Sequence, residues 1–269
     1  MYRLKLSQIV ELADRLFPFE QSETWDNCGI QIGDPDRPVS SIAFSLDATP
    51  QTVEFAAEHS CELLVTHHPV LVEPVRAVVP DGLAGRTLLA AARRGVDILS
   101  LHTNLDAARG GLNDKLAEAL GLRDITIPFS AACARLGSLD APMTLFRFAE
   151  KVALDLDVVR PRIVSSDNCP VQRVFCASGS GMGYLREALN CRADVMVTGD
   201  VRYHAAREAL EMGMPVIDAG HFGTERKAPE LMAGLFAREF RKRNIEIACH
   251  QCASEDGPFV DIFDRKEDD

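Results

Sequence analysis

The sequence predicts an α/β protein with two pseudo-symmetric lobes, each built on a mostly parallel central sheet. Aliphatic and β-branched runs alternate with helical patterns along the 269 residues, as in sheets whose strands are buried beneath helices. The chain also aligns with itself, which predicts an internal duplication. No apolar stretch reaches the roughly 18 to 20 residues of a membrane-spanning helix, so we expect a soluble protein without membrane contact.

Each element is predicted from its own pattern, beginning with an amphipathic helix at residues 1–17, in which Leu6, Ile9 and Ala13 share one face. Apolar runs predict six strands, at residues 41–47, 62–68, 97–106, 173–180, 194–200 and 215–221. Helical periodicity between these runs predicts five further helices, at residues 50–60, 84–95, 111–122, 183–190 and 202–213.

The duplication is predicted from two alignments of the chain with itself. A shift of 132 positions places residues 39–68 on 171–200 without a gap, and the apolar strand positions coincide. A shift of 119 places residues 101–106 on 220–225. Shared α/β patterning alone is the alternative explanation.

The predicted lobes follow from this repeat. We expect residues 1–125 to form the first lobe, completed by residues 226–269, and residues 126–225 to form the second lobe.

The net charge and the cysteines indicate which partners and which cellular compartment to expect. The formal net charge is −11, and no basic run is present to bind nucleic acid, so we expect a small-molecule or protein partner. The N-terminus lacks the uninterrupted apolar core of a secretory signal. We therefore expect a cytoplasmic protein whose eight cysteines are reduced thiols.

Histidines and carboxylates collect where predicted strands end, which is where open α/β sheets bind ligands. They are His67 and His68 at the end of one strand, His102 and Asp106 following another, and His221 and Glu225 following its repeat counterpart. Imidazole and carboxylate are ligands for zinc, iron and manganese. For any one histidine alone, a hydrogen-bonded structural role is the alternative.

The tandem histidines favour two ions over one. Successive strand side chains point to opposite faces, so we expect His67 and His68 to be poor ligands for a single ion. Paired ions share carboxylates, and Asp106 and Glu225 are the candidates, with Glu225 as the possible bridge.

Five segments together resemble the Nif-three-like family, whose members are often named GTP cyclohydrolase 1 type 2 homologues. They are "WDNCGIQIGD" at 25–34, "LLVTHHPV" at 63–70, "LHTNLDAARGGLND" at 101–114, "VMVTGDVRYHAA" at 195–206 and "DAGHFGTE" at 218–225. The resemblance implies a dinuclear metal site in a two-lobed α/β fold and subunits assembled into a toroidal homohexamer. Larger relatives insert a third domain between the halves, and the short 120–170 segment leaves no room for one.

Carried over position by position, the resemblance implies five metal ligands, with the glutamate touching both ions: His67, His68, Asp106, His221 and Glu225. Two divalent ions lower the pKa of water and stabilise a developing oxyanion. We therefore expect a hydrolase that acts on a nucleotide-like substrate, and the family name points to opening of the imidazole ring of GTP. A non-catalytic metal-binding regulatory or scaffold protein is the alternative.

Other residues near these ligands have two interpretations each. His102 is the candidate catalytic residue, as a proton shuttle, and support of a metal ligand is its alternative. Asp200 is expected either to line the cleft or to cap a helix. Trp25, Asp26 and Asn27 match a family signature, and we expect a structural role for them rather than a catalytic one.

Overall fold

The computed structural model describes residues 3–252 and 255–259, which form two compact units. The first unit consists of the described residues within Met1–Gly111 and Lys227–Glu255, and the second of those within Leu112–Arg226 and Asp256–Asp269. The first division falls at Gly111 rather than at the expected residue 125. The reason is that residues after Gly111, including Leu116 and Ala117, pack into the core of the second unit.

The strands of the described residues are short. They are β1 Leu4–Lys5, β2 Gly29–Ile32, β3 Pro38–Val39, β4 Ser41–Ser45, β5 Leu63–Thr66, β6 Asp97–Ser100, β7 Arg123–Thr126, β8 Arg135–Thr144, β9 Arg162–Val164, β10 Pro170–Cys176, β11 Val195–Thr198, β12 Val216–Asp218 and β13 Ala248–Gln251.

The helices lie between these strands. They are α1 Leu6–Leu16, α2 Pro50–Glu58, α3 Leu83–Arg94, α4 Thr103–Ala107, α5 Leu112–Ala119, α6 Leu145–Asp155, α7 Leu185–Asn190, α8 Tyr203–Glu211, α9 His221–Glu225 and α10 Ala228–Lys242. Each predicted range contains a strand or helix of the predicted kind, with ends displaced by a few residues. The largest difference is at 97–106, where the strand ends at Ser100 and helix α4 begins at Thr103. The end of the expected closing tail, from residue 260 onwards, lies outside the described residues.

The first unit is built on a sheet with the strand order β13-β4-β5-β6-β2. Strands β13, β4, β5 and β6 run parallel, and β2 is antiparallel to β6. Helices α2 and α3 cover one face, where Ala43 and Leu64 lie in the core. Helix α10 covers the other face, where the rings of Phe44 and Phe236 are 5.4 Å apart. Strands β4, β5 and β6 are consequently buried along their whole length.

The second unit is built on a sheet with the strand order β7-β8-β10-β11-β12-β9. Its centre, β10-β11-β12, is parallel, and the flanking β8 and β9 are antiparallel to their neighbours. Residues of α5 and α6 pack with Val174 and Val195 on one face. Residues of α7 and α8 pack with Phe175 and Met196 on the other.

The two units repeat details that α/β patterning alone does not require. Strands β5 and β11 coincide at the predicted shift of 132 positions. In the first unit the Glu62 carboxylate accepts hydrogen bonds from the backbone N–H groups of Ser40 and Ser41, both at 3.0 Å. In the second unit the Asp194 carboxylate accepts the equivalent bonds from residues 172 and 173, at 2.9 and 2.7 Å. The shared side-chain contacts confirm the internal duplication.

Among the described residues, no helix combines the length and the apolar character that crossing a membrane requires.

Candidate metal centre

The tandem histidines lie just beyond the end of β5, which stops at Thr66. The Thr66 hydroxyl donates a hydrogen bond to the backbone carbonyl of His68, at 2.8 Å, and so bends the chain back. The rings of His67 and His68 are 5.0 Å apart. The two rings therefore do not diverge to opposite faces, because strand alternation has already ended at Thr66.

A third imidazole completes a cluster within the first unit. The ring of His102, which follows β6, lies 5.1 Å from that of His67 and 5.6 Å from that of His68. One nitrogen of each ring lies within 4.8 Å of one nitrogen of each of the others, a spacing at which a metal ion can be held. His67 Nε2 is also 3.9 Å from Oδ1 of the buried Asp106, on α4. Four predicted site residues are thus brought together.

Each ring of this cluster is oriented through its Nδ1. His67 Nδ1 donates to the Leu101 carbonyl at 2.9 Å, His68 Nδ1 to Asp47 Oδ1 at 2.8 Å, and His102 Nδ1 to Asp26 Oδ1 at 2.9 Å. These oxygens can only accept, so in the neutral imidazole the proton is on Nδ1 and the lone pair on Nε2. Metal-binding histidines in proteins are held in this way.

Asp26 is the buried partner of His102, and its side chain has no exposed surface. It also accepts hydrogen bonds from the backbone N–H of Thr103, at 3.0 Å, and from the Thr103 hydroxyl. Burial by itself raises the pKa of Asp26, but the bonds from His102 and Thr103 outweigh burial and hold the pKa well below its usual value. Asp26 is therefore an ionised partner for the candidate catalytic imidazole, beyond the structural role expected of it.

The second unit places its own pair of candidate ligands on one short helix. His221 Nε2 is 2.9 Å from Oε2 of Glu225, one turn later on α9, and Glu225 is buried. His221 Nδ1 donates to Asp200 Oδ2 at 2.7 Å. Asp200 follows β11 and does not cap α8, whose N-cap residue is Arg202. The helix-capping alternative for Asp200 is therefore wrong.

In each unit, the candidate ligand atoms are of the kinds that bind divalent cations. A neutral His221 with its proton on Nδ1 directs an Nε2 lone pair at the Glu225 carboxylate. Two electron-rich atoms at this separation repel each other unless a cation or a proton lies between them. Imidazole nitrogen and carboxylate oxygen together form the ligand set that zinc, iron and manganese accept.

The sequence and the fold both match those of a known protein family. The model of the family Duf34/NIF3 (NGG1p interacting factor 3) matches residues 4–257. The chain belongs to this family.

Relatives within the NIF3 family resemble the chain over most of its length. It is 30% identical over 228 residues to a GTP cyclohydrolase 1 type 2 homolog of Clostridium perfringens, covering 82% of this chain and 87% of the relative. It is 31% identical over 222 residues to the GTP cyclohydrolase 1 type 2 of Helicobacter pylori, with the same two coverages of 82% and 87%. The crystal structure of the Staphylococcus aureus hypothetical protein SA1388 superposes with a TM-score of 0.90 at 26% identity, covering 97% of this chain and 100% of that one.

Glycines shape the His221–Glu225 pair in this NIF3 protein. Gly179 follows β10 with a φ of +58°, and a Cβ there would lie 2.2 Å from Glu225 Oε1. A Cβ at Gly199 would lie 2.5 Å from the backbone nitrogen of His221. Any larger side chain at these two positions would displace the pair.

Asp47 is the functional residue that sequence reasoning missed in this NIF3 protein. It follows β4 and orients His68, yet no motif marks it, and in the repeat alignment it falls on a glycine, Gly179. One usable signal is its position as the last residue of the predicted strand 41–47, at the end of the sheet where the other site residues collect.

Proposed function

We propose that this NIF3 protein is a hydrolase that depends on two divalent metal ions and acts on a nucleotide-like substrate. In this proposal the ions are held by the five predicted ligands, with Glu225 touching both: His67, His68, Asp106, His221 and Glu225. The observation that carries the proposal is the orientation of the histidines. Those of the ligand set donate Nδ1 to an oxygen acceptor and leave Nε2 to bind a cation.

The proposed reaction is hydrolytic opening of the imidazole ring of GTP. The name of the H. pylori relative, GTP cyclohydrolase 1 type 2, supports this substrate class. Bound divalent ions supply an acidified water and neutralise developing negative charge. Because the chain has a formal net charge of −11, these cations would also provide the local attraction that a polyphosphate needs.

His102 is the proposed proton carrier. Its Nδ1 is held by the ionised Asp26, so Nε2 can accept a proton from the reacting water and the resulting imidazolium is stabilised by the carboxylate. The same atom can then return the proton to the leaving nitrogen. Asp26 acts on the reaction only through this ring, as a positioning residue.

The test combines metal content with turnover. The full chain, purified with zinc, manganese or iron, is assayed with GTP, ATP and a generic phosphodiester, alongside Glu225→Ala and the control Glu230→Ala. Glu230 is an exposed residue of α10 paired with Lys227, so its loss should leave metal content and turnover unchanged. We expect Glu225→Ala to lower metal content below two ions per chain and to lower turnover about 100-fold.

Two results would count against catalysis. Turnover that survives Glu225→Ala unchanged identifies a contaminating enzyme. Metal content of two ions per chain without turnover on any substrate favours the non-catalytic regulatory or scaffold protein instead. The toroidal homohexamer and the cytoplasmic location stay predictions.

A further inference from the structure

Trp25 is the one tryptophan of the chain and is 59% exposed. Its ring centroid lies 5.9 Å from that of His102, and the two ring planes meet at 78°. A large aromatic side chain in contact with the candidate catalytic imidazole thus keeps more than half of its surface open to solvent. Packing in the core does not account for this position.

The backbone that carries Trp25 is fastened on both sides. Asp26, the next residue, is buried and bonded to His102 and Thr103. Asn27 Nδ2 donates to the Leu71 carbonyl at 2.6 Å. On the preceding side, the backbone N–H of Glu23 donates to the Thr103 hydroxyl at 3.0 Å. The indole is therefore presented to solvent by a fixed loop.

A fixed, exposed indole suits one kind of ligand contact well. Planar heteroaromatic rings stack on tryptophan because both faces are flat, apolar and polarisable. A ring stacked on Trp25 would lie beside His102, and therefore beside the cluster that His102 forms with His67 and His68. Phosphate groups, which have no planar ring, cannot stack on such a surface.

We propose that Trp25 is the stacking surface for the planar heteroaromatic ring of the substrate. The inference rests on the proposed function and adds to it a specificity-determining residue: the ligand is recognised by its ring as well as by its phosphates. Trp25 determines specificity by holding the ring beside His102.

Intrinsic fluorescence provides the first test, because Trp25 is the only possible tryptophan source. The full chain with zinc is titrated with GTP, ATP, CTP and UTP, and separately with inorganic triphosphate, which has the anionic groups and no ring. We expect the nucleotides to quench the fluorescence and triphosphate to bind without comparable quenching. Purines should quench more strongly than pyrimidines because their rings are larger.

Variants provide the second test, with affinity measured by calorimetry. Loss of one base-stacking contact weakens binding roughly 5- to 150-fold. We expect Trp25→Leu to lose GTP affinity within this range and to bind triphosphate within about twofold of the wild type. The GTP affinity of Trp25→Phe, which keeps an aromatic ring, should lie between those of the wild type and Trp25→Leu.

The matched control is Phe146→Leu, at an aromatic residue of comparable exposure, 49%. Phe146 follows Thr144, which pairs with Pro170 at the start of β10. It thus lies near the start of the parallel strands of the second unit, whereas His221 and Glu225 follow the end of β12. Its loss should not alter GTP affinity. Thermal unfolding of each variant confirms that the fold is intact.

The inference is overturned if no nucleotide quenches Trp25, or if Trp25→Leu binds GTP as tightly as the wild type. Equal loss of GTP and triphosphate affinity also overturns it, since the effect would then be structural. If the fluorescence spectrum of Trp25 changes with protein concentration and not with nucleotide, the inference is also wrong, and Trp25 lies in a contact between subunits. Elemental analysis of the wild type tests the metal centre separately, so stacking can be confirmed where the proposed hydrolase fails.

Discussion

At the scale of single residues, three aspartates make the same contact. Asp26, Asp47 and Asp200 each accept a hydrogen bond from the Nδ1 of a histidine, at 2.7 to 2.9 Å. A carboxylate in this position fixes the ring and makes Nε2 more basic, which strengthens binding of a cation or a proton. Each aspartate therefore acts on the site through the imidazole that it orients.

Replacing Asp47 by alanine tests this role. We expect Asp47→Ala to weaken zinc binding by about 10- to 100-fold, the usual effect of losing a partner that orients a metal ligand. Competition with a chelator measures the affinity. The control is Asp36→Ala, since Asp36 is an exposed partner of Lys5, and equal affinities of the two variants would contradict the prediction.

Replacing Gly179 by alanine tests the geometry around Glu225. Both Gly179 and Gly213 have positive φ angles, so alanine at either position should cost about 1–2 kcal/mol in the free energy of unfolding. Only at Gly179 would the new Cβ meet Glu225, whereas nothing lies within 4 Å at Gly213. We expect Gly179→Ala alone to lose bound metal, as measured by elemental analysis. Metal loss in Gly213→Ala would show that backbone strain, and not the contact, is responsible.

The sequence predicts the histidines better than it predicts their partners. His67 and His68 are visible because they interrupt an apolar run at its end. Asp47 is not visible, because its contact with His68 depends on β4 pairing beside β5, which brings together residues that are 21 positions apart. Asp26 depends in the same way on the antiparallel pairing of β2 with β6.

At the scale of elements, the same hydrogen bonds occur in both units. In each unit a carboxylate just before one strand accepts hydrogen bonds from the backbone at the start of the preceding parallel strand. Glu62, just before β5, accepts hydrogen bonds from the start of β4, and Asp194 has the same position before β11. Burial raises the pKa of Glu62, but hydrogen bonds from Ser40 and Ser41 outweigh burial, and the pKa is lowered from its ordinary 4.5.

This shift predicts a pH dependence for Glu62→Gln. A depressed pKa in the folded state contributes stability above about pH 4.5, and this stability is lost as the pH falls through the folded-state pKa. We expect the variant to be about 1 kcal/mol less stable at pH 7, the usual value of a hydrogen bond at a partly exposed site. Urea unfolding measures the difference in free energy between the variant and the wild type, which should shrink as the pH falls below 4.5. The control is Glu11→Gln, at an exposed residue of α1. A difference that is constant with pH, or equal to that of the control, would contradict the prediction.

Buried parallel strands are the elements that a sequence predicts most directly. β5 and β11 are buried at every position and therefore appear as continuous apolar runs. β8 is buried mainly in its first half and contains Pro142, so neither a run nor an alternation marks it. Helix α10, which covers one face of the first sheet, is not among the predicted elements.

At the scale of the whole molecule, assembly is the prediction that remains. Light scattering of the purified chain should give the mass of about six chains if the toroidal homohexamer implied by the family resemblance forms. A mass of one or two chains would contradict it. Repeating the measurement with Glu225→Ala separates assembly from metal binding, because the subunit contacts should persist without the ions.

Strand β13 pairs in parallel with β4, although some 200 residues separate the two along the chain. During synthesis the ribosome therefore releases residues 112–226, which form most of the second unit, before it releases the neighbour of β4. Until then β4 presents a row of open backbone groups, which in nascent proteins recruits chaperones or foreign strands. A transcript cut short after α9 would leave this exposed edge permanently, and its product should be degraded or aggregate.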